Sequence, residues 1–351
     1  MYNKLTPSRT VIILLFVFLD IACCYAQNFD PIFKLINERK LDSAFVLSQQ
    51  ALAEYPNDPE SHYAAAKVNM LSGKISTALP QYEKLLTMSN IKTYTKGWTL
   101  HDLAICYFAL GNSVKAEASL TSSLKLNATK NVVSSARYLD KILGFDSIFH
   151  SWKRHETLHF VFHFQNNSDK VKEIAIRKEL AFEKINSFFK AKLPKKIDYF
   201  VWLDEQNAQN ILKKPLAFTD PGLSLTHTTE KHTIGHEMTH TIAYFATIPL
   251  KSNKLISEGV CVYFDLSNRN NVETLKKLGF KSSIKAIWEN KTTVSNDILY
   301  PLGGELVKRL IKKFGREKFL TLLANQTYQN ARKIYGSDLE LLIREIDDQI
   351  K

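Results

Sequence analysis

The stretch Gly235-His236-Glu237-Met238-Thr239-His240 decides the architecture expected for the C-terminal half of this 351-residue chain. It lies within residues 230–246, where apolar side chains recur at helical spacing at Ile234, Met238, Ile242 and Phe245. Two histidines four positions apart share one face of a helix, so both rings can bind one Zn²⁺. Glu237 is turned away from the metal itself and can reach a water molecule beside it. The stretch therefore predicts a zinc site with Glu237 as its base.

A catalytic zinc site needs a third protein ligand and an open position. The residues three and six places after His240 are Ala243 and Ala246, which excludes the compact His-x-x-Gly-x-x-His arrangement. Residues 255–265 are apolar enough to predict a buried helix, and Glu258 lies within it. A buried carboxylate without a partner is costly, and metal ligation would supply the partner. The predicted ligands are therefore His236, His240 and Glu258.

The residues upstream of the histidines predict a small sheet. Residues 159–164 alternate and are rich in strand-forming side chains, so they read as the first strand of a new domain. A long helix is expected over about 169–192, a second strand over 197–203 and a third over 222–228. The rest of the chain has helical patterns. Strands followed by helices predict an α+β domain over residues 151–351.

Helical hairpins with a weak internal repeat are expected between about residues 38 and 130. Ala44 and Ala78 are 34 positions apart and Ala116 follows after 38, and the flanking residues Ala51, Pro56, Tyr82, Ala104, Tyr107 and Gly111 fit the same pattern. This segment resembles tetratricopeptide repeats. The resemblance implies an all-α domain over residues 27–145, stacked around a groove that holds a protein partner. The alternative is that these helices only brace the second domain.

The first 26 residues resemble a secretory signal peptide. Lys4 and Arg9 form a positive start, residues 11–19 are an unbroken apolar run, and Ala26 ends a cleavage site that makes Gln27 the mature start. The apolar run is far shorter than the roughly 20 residues that span a bilayer, so no transmembrane anchor is expected after cleavage. The alternative is a lipoprotein acylated at Cys23 or Cys24. The protein is therefore expected to be exported.

Composition narrows the remaining classes. The chain is 45% hydrophobic and 11% aromatic, enough for two cores, and it carries a formal net charge of +12. No basic stripe interleaved with aromatic residues appears, so nucleic-acid binding is not expected. Only Cys106 and Cys261 remain after cleavage, which excludes a disulfide scaffold and fits a bacterial periplasm or exterior. Both thiols are expected to pack as small buried apolar residues.

Residues 153–345 resemble the gluzincin class of metallopeptidases, in particular the group described as peptidase-MA-like. The resemblance rests on His-Glu-x-x-His in one helix, on Glu258-Gly259 followed by Tyr263-Phe264 in the next, on the opening strand, and on residues 300–304 before a helix ending near Phe314-Gly315. It implies a zincin-like fold and peptide hydrolysis outside the cytoplasm. It also implies that Tyr300 stabilises the oxyanion of the tetrahedral intermediate, although Tyr300 can equally be a packing aromatic.

The same resemblance leaves several roles open. Asp265 can orient one of the histidines or face solvent, and His227 and His232 are expected to lie outside the metal set. Aminopeptidases of the class carry Gly-x-Met-Glu-Asn upstream, where this chain has residues 222–227 without that motif. An endopeptidase is therefore expected, with residues 222–227 as an edge strand that pairs with an extended polypeptide substrate. The rivals are an exported adaptor with an inactive, structural zinc domain, and an envelope-associated binding protein.

Overall fold

The computed structural model describes residues 29–165 and 170–350 of the chain. The predicted signal peptide and its cleavage site lie outside the described residues, so both stay predictions. Among the described helices, none is long and apolar enough to span a membrane. The fold is α+β, as the sequence predicts, with an all-helical N-terminal region followed by a region built on one sheet.

The N-terminal region consists of seven helices, and the first six pack as three consecutive pairs. In each pair the fourth residue of the second helix is a fully buried alanine, Ala44, Ala78 or Ala116. An alanine at such a position lets the two helices approach closely, which is the packing that the 34-residue spacing predicts. Assignment to tetratricopeptide repeats stays a prediction. The helices are α1 (Asp30–Asn37), α2 (Leu41–Glu54), α3 (Pro59–Leu71), α4 (Ile75–Leu85), α5 (Thr93–Ala109), α6 (Ser113–Leu126) and α7 (Lys130–Ile142).

The sheet has five strands in the order β1-β2-β3-β5-β4, with parallel pairing inside and an antiparallel strand at each edge. The edge strands β1 and β4 were not predicted, because each is short and polar. The predicted edge strand at residues 222–227 is wrong, since β5 lies inside the sheet and β4 is the edge beside it. The strands are β1 (Lys153–Glu156), β2 (Phe160–Phe164), β3 (Ile197–Trp202), β4 (Phe218–Asp220) and β5 (Leu225–Thr229).

Nine helices complete the described C-terminal region. The predicted zinc helix starts at His236 rather than near residue 230, and the helix of Tyr300 starts at Asn296, ahead of residues 300–304 rather than after them. That helix is interrupted at Gly315, where φ is 84° and the predicted helix end falls. The helices are α8 (Val171–Phe189), α9 (Glu205–Leu212), α10 (His236–Thr247), α11 (Lys254–Tyr263), α12 (Asn271–Lys277), α13 (Ile284–Trp288), α14 (Asn296–Ala324), α15 (Tyr328–Tyr335) and α16 (Asp338–Ile350).

Both faces of the sheet are covered, and β3 shows how. Successive side chains of a strand point to opposite faces. Tyr199 and Val201 therefore join the core made with α8, α10, α11 and α14, whereas Phe200 and Trp202 join a second core made with α5, α6, α7 and α9. The second core crosses the predicted domain boundary between residues 145 and 151. The boundary itself stays a prediction, but the N-terminal helices and the sheet share apolar contacts.

His227 links the two regions in the second core. Its ring is fully buried and stacks on Phe200 and Phe218, with centroids 4.4 Å and 5.0 Å away. Nδ1 accepts a hydrogen bond from the Trp202 indole at 3.0 Å, and Nε2 donates to the Ile142 carbonyl of α7 at 2.9 Å. Burial lowers the pKa of His227 to about 3, with smaller contributions in the same direction from the charges of His163 and Lys214. The ring is therefore neutral in the folded protein.

This depressed pKa makes the fold sensitive to acid. Below its ordinary pKa of 6.5, His227 takes up a proton in the unfolded chain but not in the folded one. The unfolded state therefore gains relative stability as pH falls from 6.5 toward 3. Between about pH 6.5 and pH 4.5, the wild type is expected to lose about 2 kcal/mol of folding stability through His227. His227→Gln should not show this part of the loss. Denaturant unfolding at both pH values measures this difference. The exposed His150→Gln is the control, and an unchanged pH dependence in His227→Gln would contradict the assignment.

Candidate metal centre

Two short helices bring the predicted ligands together. His236 and His240 lie one turn apart on α10. α11 begins at an Asn253 cap, whose side-chain oxygen accepts the backbone N–H of Leu255 at 3.0 Å. α11 packs against α10, and its buried apolar residues fix the face on which Glu258 projects. The Nε2 atom of His236 lies 3.2 Å from Oε2 of Glu258, and Nε2 of His240 lies 3.6 Å from the same oxygen.

Glu258 lies beside both histidines, and solvent can reach all three side chains. Their exposed fractions are 15% for His236, 20% for His240 and 16% for Glu258. Burial alone would raise the pKa of Glu258, but hydrogen bonds and charge from the two histidines hold that pKa well below its ordinary value. The carboxyl group is therefore an anion with two imidazole nitrogens beside it. Imidazole nitrogen and carboxylate oxygen are the donors of catalytic zinc sites, so the set fits Zn²⁺.

Cys261 is a member of this cluster that the sequence analysis missed. Its sulfur and one ring nitrogen each of His236 and His240 all lie within 4.8 Å of one another. The thiol is fully buried, and burial raises its pKa to about 11 although His240 acts in the opposite direction. The available signal was helical spacing, since Cys261 follows Glu258 by three positions and so shares its face. The predicted burial of Cys261 in the apolar core is confirmed, and its closeness to the two histidines is an additional feature.

Glu237 is buried in the first turn of α10 and is held by the edge strand β4. The carboxylate is 7% exposed, and the Thr219 hydroxyl of β4 donates to its Oε2 at 2.7 Å. The same hydroxyl lies 3.2 Å from the Glu237 carbonyl oxygen. Thr219 therefore ties β4 to the first turn of α10 and fixes the rotamer of Glu237. The missed edge strand thus supplies a residue of the site.

A buried lysine forms hydrogen bonds with the residues just before α10. Lys178 of α8 donates to the Ile234 carbonyl at 2.9 Å and to the Tyr199 hydroxyl at 2.7 Å. Burial lowers the pKa of Lys178 to about 7, and the nearby charge of Glu237 offsets part of that shift. The residues just before His236 are thereby fixed to α8 and β3. The periodicity of α8 gave no reason to single out this lysine.

Tyr300 lies beside His236, and its role in the reaction stays a prediction. Its ring stacks beside the ring of His236, with centroids 5.8 Å apart and planes 27° from parallel. Burial and the charges of Glu258 and Glu237 raise the pKa of Tyr300 to about 12, so the phenol keeps its proton at neutral pH. It is therefore available as a hydrogen-bond donor at the edge of the cluster.

A glycine contact between α11 and α14 explains how Tyr300 reaches the cluster. A Cβ atom on Gly259 would lie 2.5 Å from the Gly303 carbonyl, and one on Gly303 would lie 2.3 Å from the Leu255 carbonyl. Real Cβ atoms do not approach that closely, so only glycine permits this helix crossing. The crossing sits beside Glu258 on α11 and one turn after Tyr300 on α14. The glycines in the motif therefore set the spacing between these two side chains.

The remaining candidates take other positions. The Asp265 carboxylate accepts the Ser267 backbone N–H at 2.7 Å and lies 3.8 Å from Nε of Arg269. The contacts of this carboxylate in the described chain are thus with its own loop. The backbone carbonyl of Asp265 accepts a hydrogen bond from the Gly235 N–H at 3.3 Å. His232 shares a hydrogen bond of 2.9 Å with the Thr229 hydroxyl. His227 and His232 therefore both have structural partners, outside the predicted metal set.

Comparison with known proteins adds no identification. No family model matches the chain, and no curated protein matches it either.

Proposed function

We propose that the protein is a zinc-dependent peptidase that hydrolyses polypeptides by attack of water. His236, His240 and Glu258 would hold the Zn²⁺ ion. The observation that carries the proposal is the convergence of two imidazole Nε2 atoms on one oxygen of Glu258, at 3.2 Å and 3.6 Å. Three protein donors leave a tetrahedral ion one position open, which is the arrangement of catalytic zinc rather than structural zinc. An acid beside the ligands, fixed by its own hydrogen bond, supports the same reading.

Each side chain then has a separate task. Zn²⁺, when bound, supplies Lewis acidity toward the scissile carbonyl and lowers the pKa of a water molecule at the site. Glu237 accepts the proton of that water and passes it to the nitrogen of the leaving amine. Thr219 holds Oε2 of Glu237 by a bond of 2.7 Å, so we assign the proton transfer to Oε1. Tyr300 donates its phenol proton in a hydrogen bond to the developing oxyanion.

The substrate is an extended polypeptide that pairs with β4, which is an edge strand of the sheet in the described part of the chain. β4 is bonded on one side to β5, and its Thr219 reaches Glu237 directly. An extended chain added to this edge would pass beside the base without any motion of the sheet. This placement supports cleavage within a chain, hence an endopeptidase. The N-terminal helices would bind a protein partner or present the substrate, and we place the activity outside the cytoplasm of a bacterium, after removal of residues 1–26.

Metal content and chelator sensitivity test the proposal together. Mature protein starting at Gln27 is expected to contain about one zinc per chain, because two histidines and one glutamate complete a catalytic set. Elemental analysis measures the metal, and cleavage of denatured casein with and without 1,10-phenanthroline measures the activity. Restoration by added Zn²⁺ is expected. Protein that binds no zinc after reconstitution, or cleaves equally well with the chelator, is not the enzyme proposed.

Cys261 favours a second candidate, an adaptor with a structural zinc. Its sulfur lies within 4.8 Å of nitrogen atoms of both histidines, so it would provide a fourth donor. A site closed by His236, His240, Glu258 and Cys261 has no position for a substrate. Glu237 argues against this candidate, because a closed structural site would have no use for a buried carboxylate next to a ligand in the sequence. Retention of zinc without any peptide hydrolysis would favour the adaptor.

A further inference from the structure

A cavity lies between the N-terminal helices and the edge strand, next to the proposed catalytic site. Its volume is about 330 Å³. One wall comes from the end of α3, the α3–α4 turn, α5 and α7, and the other from β4, the turn after it and Tyr244 of α10. The lining residues include Leu71, Tyr138, Phe218, Gly222 and Tyr244. Neither region of the chain encloses this space without the other.

Tyr244 of α10 lines both this cavity and a smaller one next to the metal centre. Tyr244 follows His240 by one turn, and so lies on the same face as His236 and His240. A smaller cavity of about 100 Å³ is lined by both His240 and Tyr244, and by Pro221. The larger cavity is lined by Tyr244 and by Asp220 and Gly222, the neighbours of Pro221. Side chains of a strand alternate between the two faces of a sheet, and in β4 Phe218 lines the larger cavity whereas Thr219 contacts Glu237. An extended chain paired with β4 would therefore place alternate side chains on the face of the larger cavity.

The shape of the cavity depends on two small residues. The Tyr244 hydroxyl reaches across to the α3–α4 turn, where a Cβ atom on Gly73 would lie 3.0 Å from it. Gly73 has φ of 75°, a conformation that glycine adopts without strain. Gly222 likewise leaves its side of the cavity open. Tyr244 thus forms a wall shared by the N-terminal helices and the catalytic region.

The chemistry of the lining selects the occupant. The walls are mainly aliphatic and aromatic, with Lys214 and Asp220 as the charged members. Leu71 and Tyr138, which line this cavity, remain 43% and 45% exposed. A dry cavity of roughly 150 Å³ is enough to bind one benzene ring. The larger volume here therefore fits a bulky apolar side chain, such as Phe or Leu, together with the chain that carries it.

From this geometry we infer that the cavity is a specificity pocket in which the N-terminal helices select polypeptides with a large apolar side chain near the scissile bond. The inference rests on the proposed peptidase function. It gives the helical region a direct part in substrate binding, through Leu71 and Tyr138. The catalytic region by itself would then be an incomplete enzyme with poor selectivity.

The test uses a set of labelled decapeptides of alanine and glutamine, in which a single Phe or a single Ser is moved along the sequence. Wild-type, zinc-loaded mature protein should cleave the best Phe peptide at least about tenfold more efficiently than its Ser counterpart, since apolar pockets discriminate by roughly this factor or more. Leu71→Asp and Tyr138→Asp should each lose most of that ratio. Val46→Asp alters an exposed aliphatic residue outside the cavity and should keep the ratio.

Peptide binding separates a failure of this inference from a failure of the proposed function. Glu237→Gln protein loaded with zinc is expected to bind the Phe peptide more tightly than the Ser peptide in fluorescence polarisation, and Leu71→Asp should remove the difference. A Phe preference in binding without hydrolysis by the wild type would overturn the peptidase and keep the pocket. Hydrolysis with equal rates for Phe and Ser peptides, or with a preference that both Asp variants retain, would overturn the pocket and keep the peptidase.

Discussion

Glu237→Gln is expected to lower kcat/KM for peptide hydrolysis by at least about a hundredfold, and up to about ten-thousandfold, which is the usual range for loss of a general base. The amide keeps the size of the carboxylate and can keep the hydrogen bond with Thr219, but it cannot accept the proton of the attacking water. Zinc content should stay near that of the wild type, because His236, His240 and Glu258 are unchanged. Hydrolysis rates at matched zinc occupancy measure the effect.

Glu230→Gln is the matched control, since it makes the same change at an exposed acid seven residues upstream. It should leave both rate and zinc content unchanged. A Thr219→Val variant should have a smaller effect than Glu237→Gln, because it loosens the base without removing it. If Glu237→Gln hydrolyses peptides as fast as the wild type, the water-activation mechanism is wrong and the adaptor becomes the better account.

Glu258→Ala is expected to weaken zinc binding by more than about a hundredfold. Loss of a residue that only orients a ligand typically costs 10- to 100-fold in metal affinity, so loss of a ligand should cost more. The variant also leaves the two histidines without the carboxylate that both of them face. Competition with a chromophoric chelator measures the affinity. Exposed Glu273→Ala is the control, and thermal unfolding of the metal-free proteins checks that the fold persists.

Cys261→Ser distinguishes the two candidate sites in the same assay. An open site of His236, His240 and Glu258 should bind zinc with little change, whereas a site closed by sulfur should lose affinity as strongly as in Glu258→Ala. Cobalt replacement gives an independent signal, because a thiolate ligand adds a charge-transfer absorption in the near ultraviolet. Unchanged zinc affinity in Glu258→Ala, with a large loss in Cys261→Ser or Asp265→Ala, would mean that the third ligand has been misassigned.

Much of the site follows from local pattern. His236 and His240 must share a helix face because they are four residues apart. Glu258 is predicted as the third ligand because a carboxylate in an apolar helix needs a partner. Such arguments need only the period of a helix and the cost of burying charge. The helical N-terminal region and the strands β2, β3 and β5 were predicted for the same reason, since each has several apolar residues at a regular spacing.

Contacts between distant segments were beyond this reasoning. β4 has three residues, too few to show a period, and yet its Thr219 holds the proposed base. The sequence predicts Cys261 as a buried packing residue but not its closeness to the histidines, because that distance depends on how α10 and α11 cross. The pocket at Leu71 and Tyr244 joins residues more than a hundred positions apart along the chain.

By itself, the sequence determined the class of each long element and the residue types available for a metal, because both depend on spacings within one helix or strand. Only the tertiary structure decided that Glu258 lies within 3.6 Å of both histidines, that Tyr300 joins them, and that the N-terminal helices close a cavity over the edge strand. The physical reason is that these relations are set by packing between elements. At the Gly259–Gly303 crossing, for example, two glycines 44 positions apart permit a contact that no local pattern specifies.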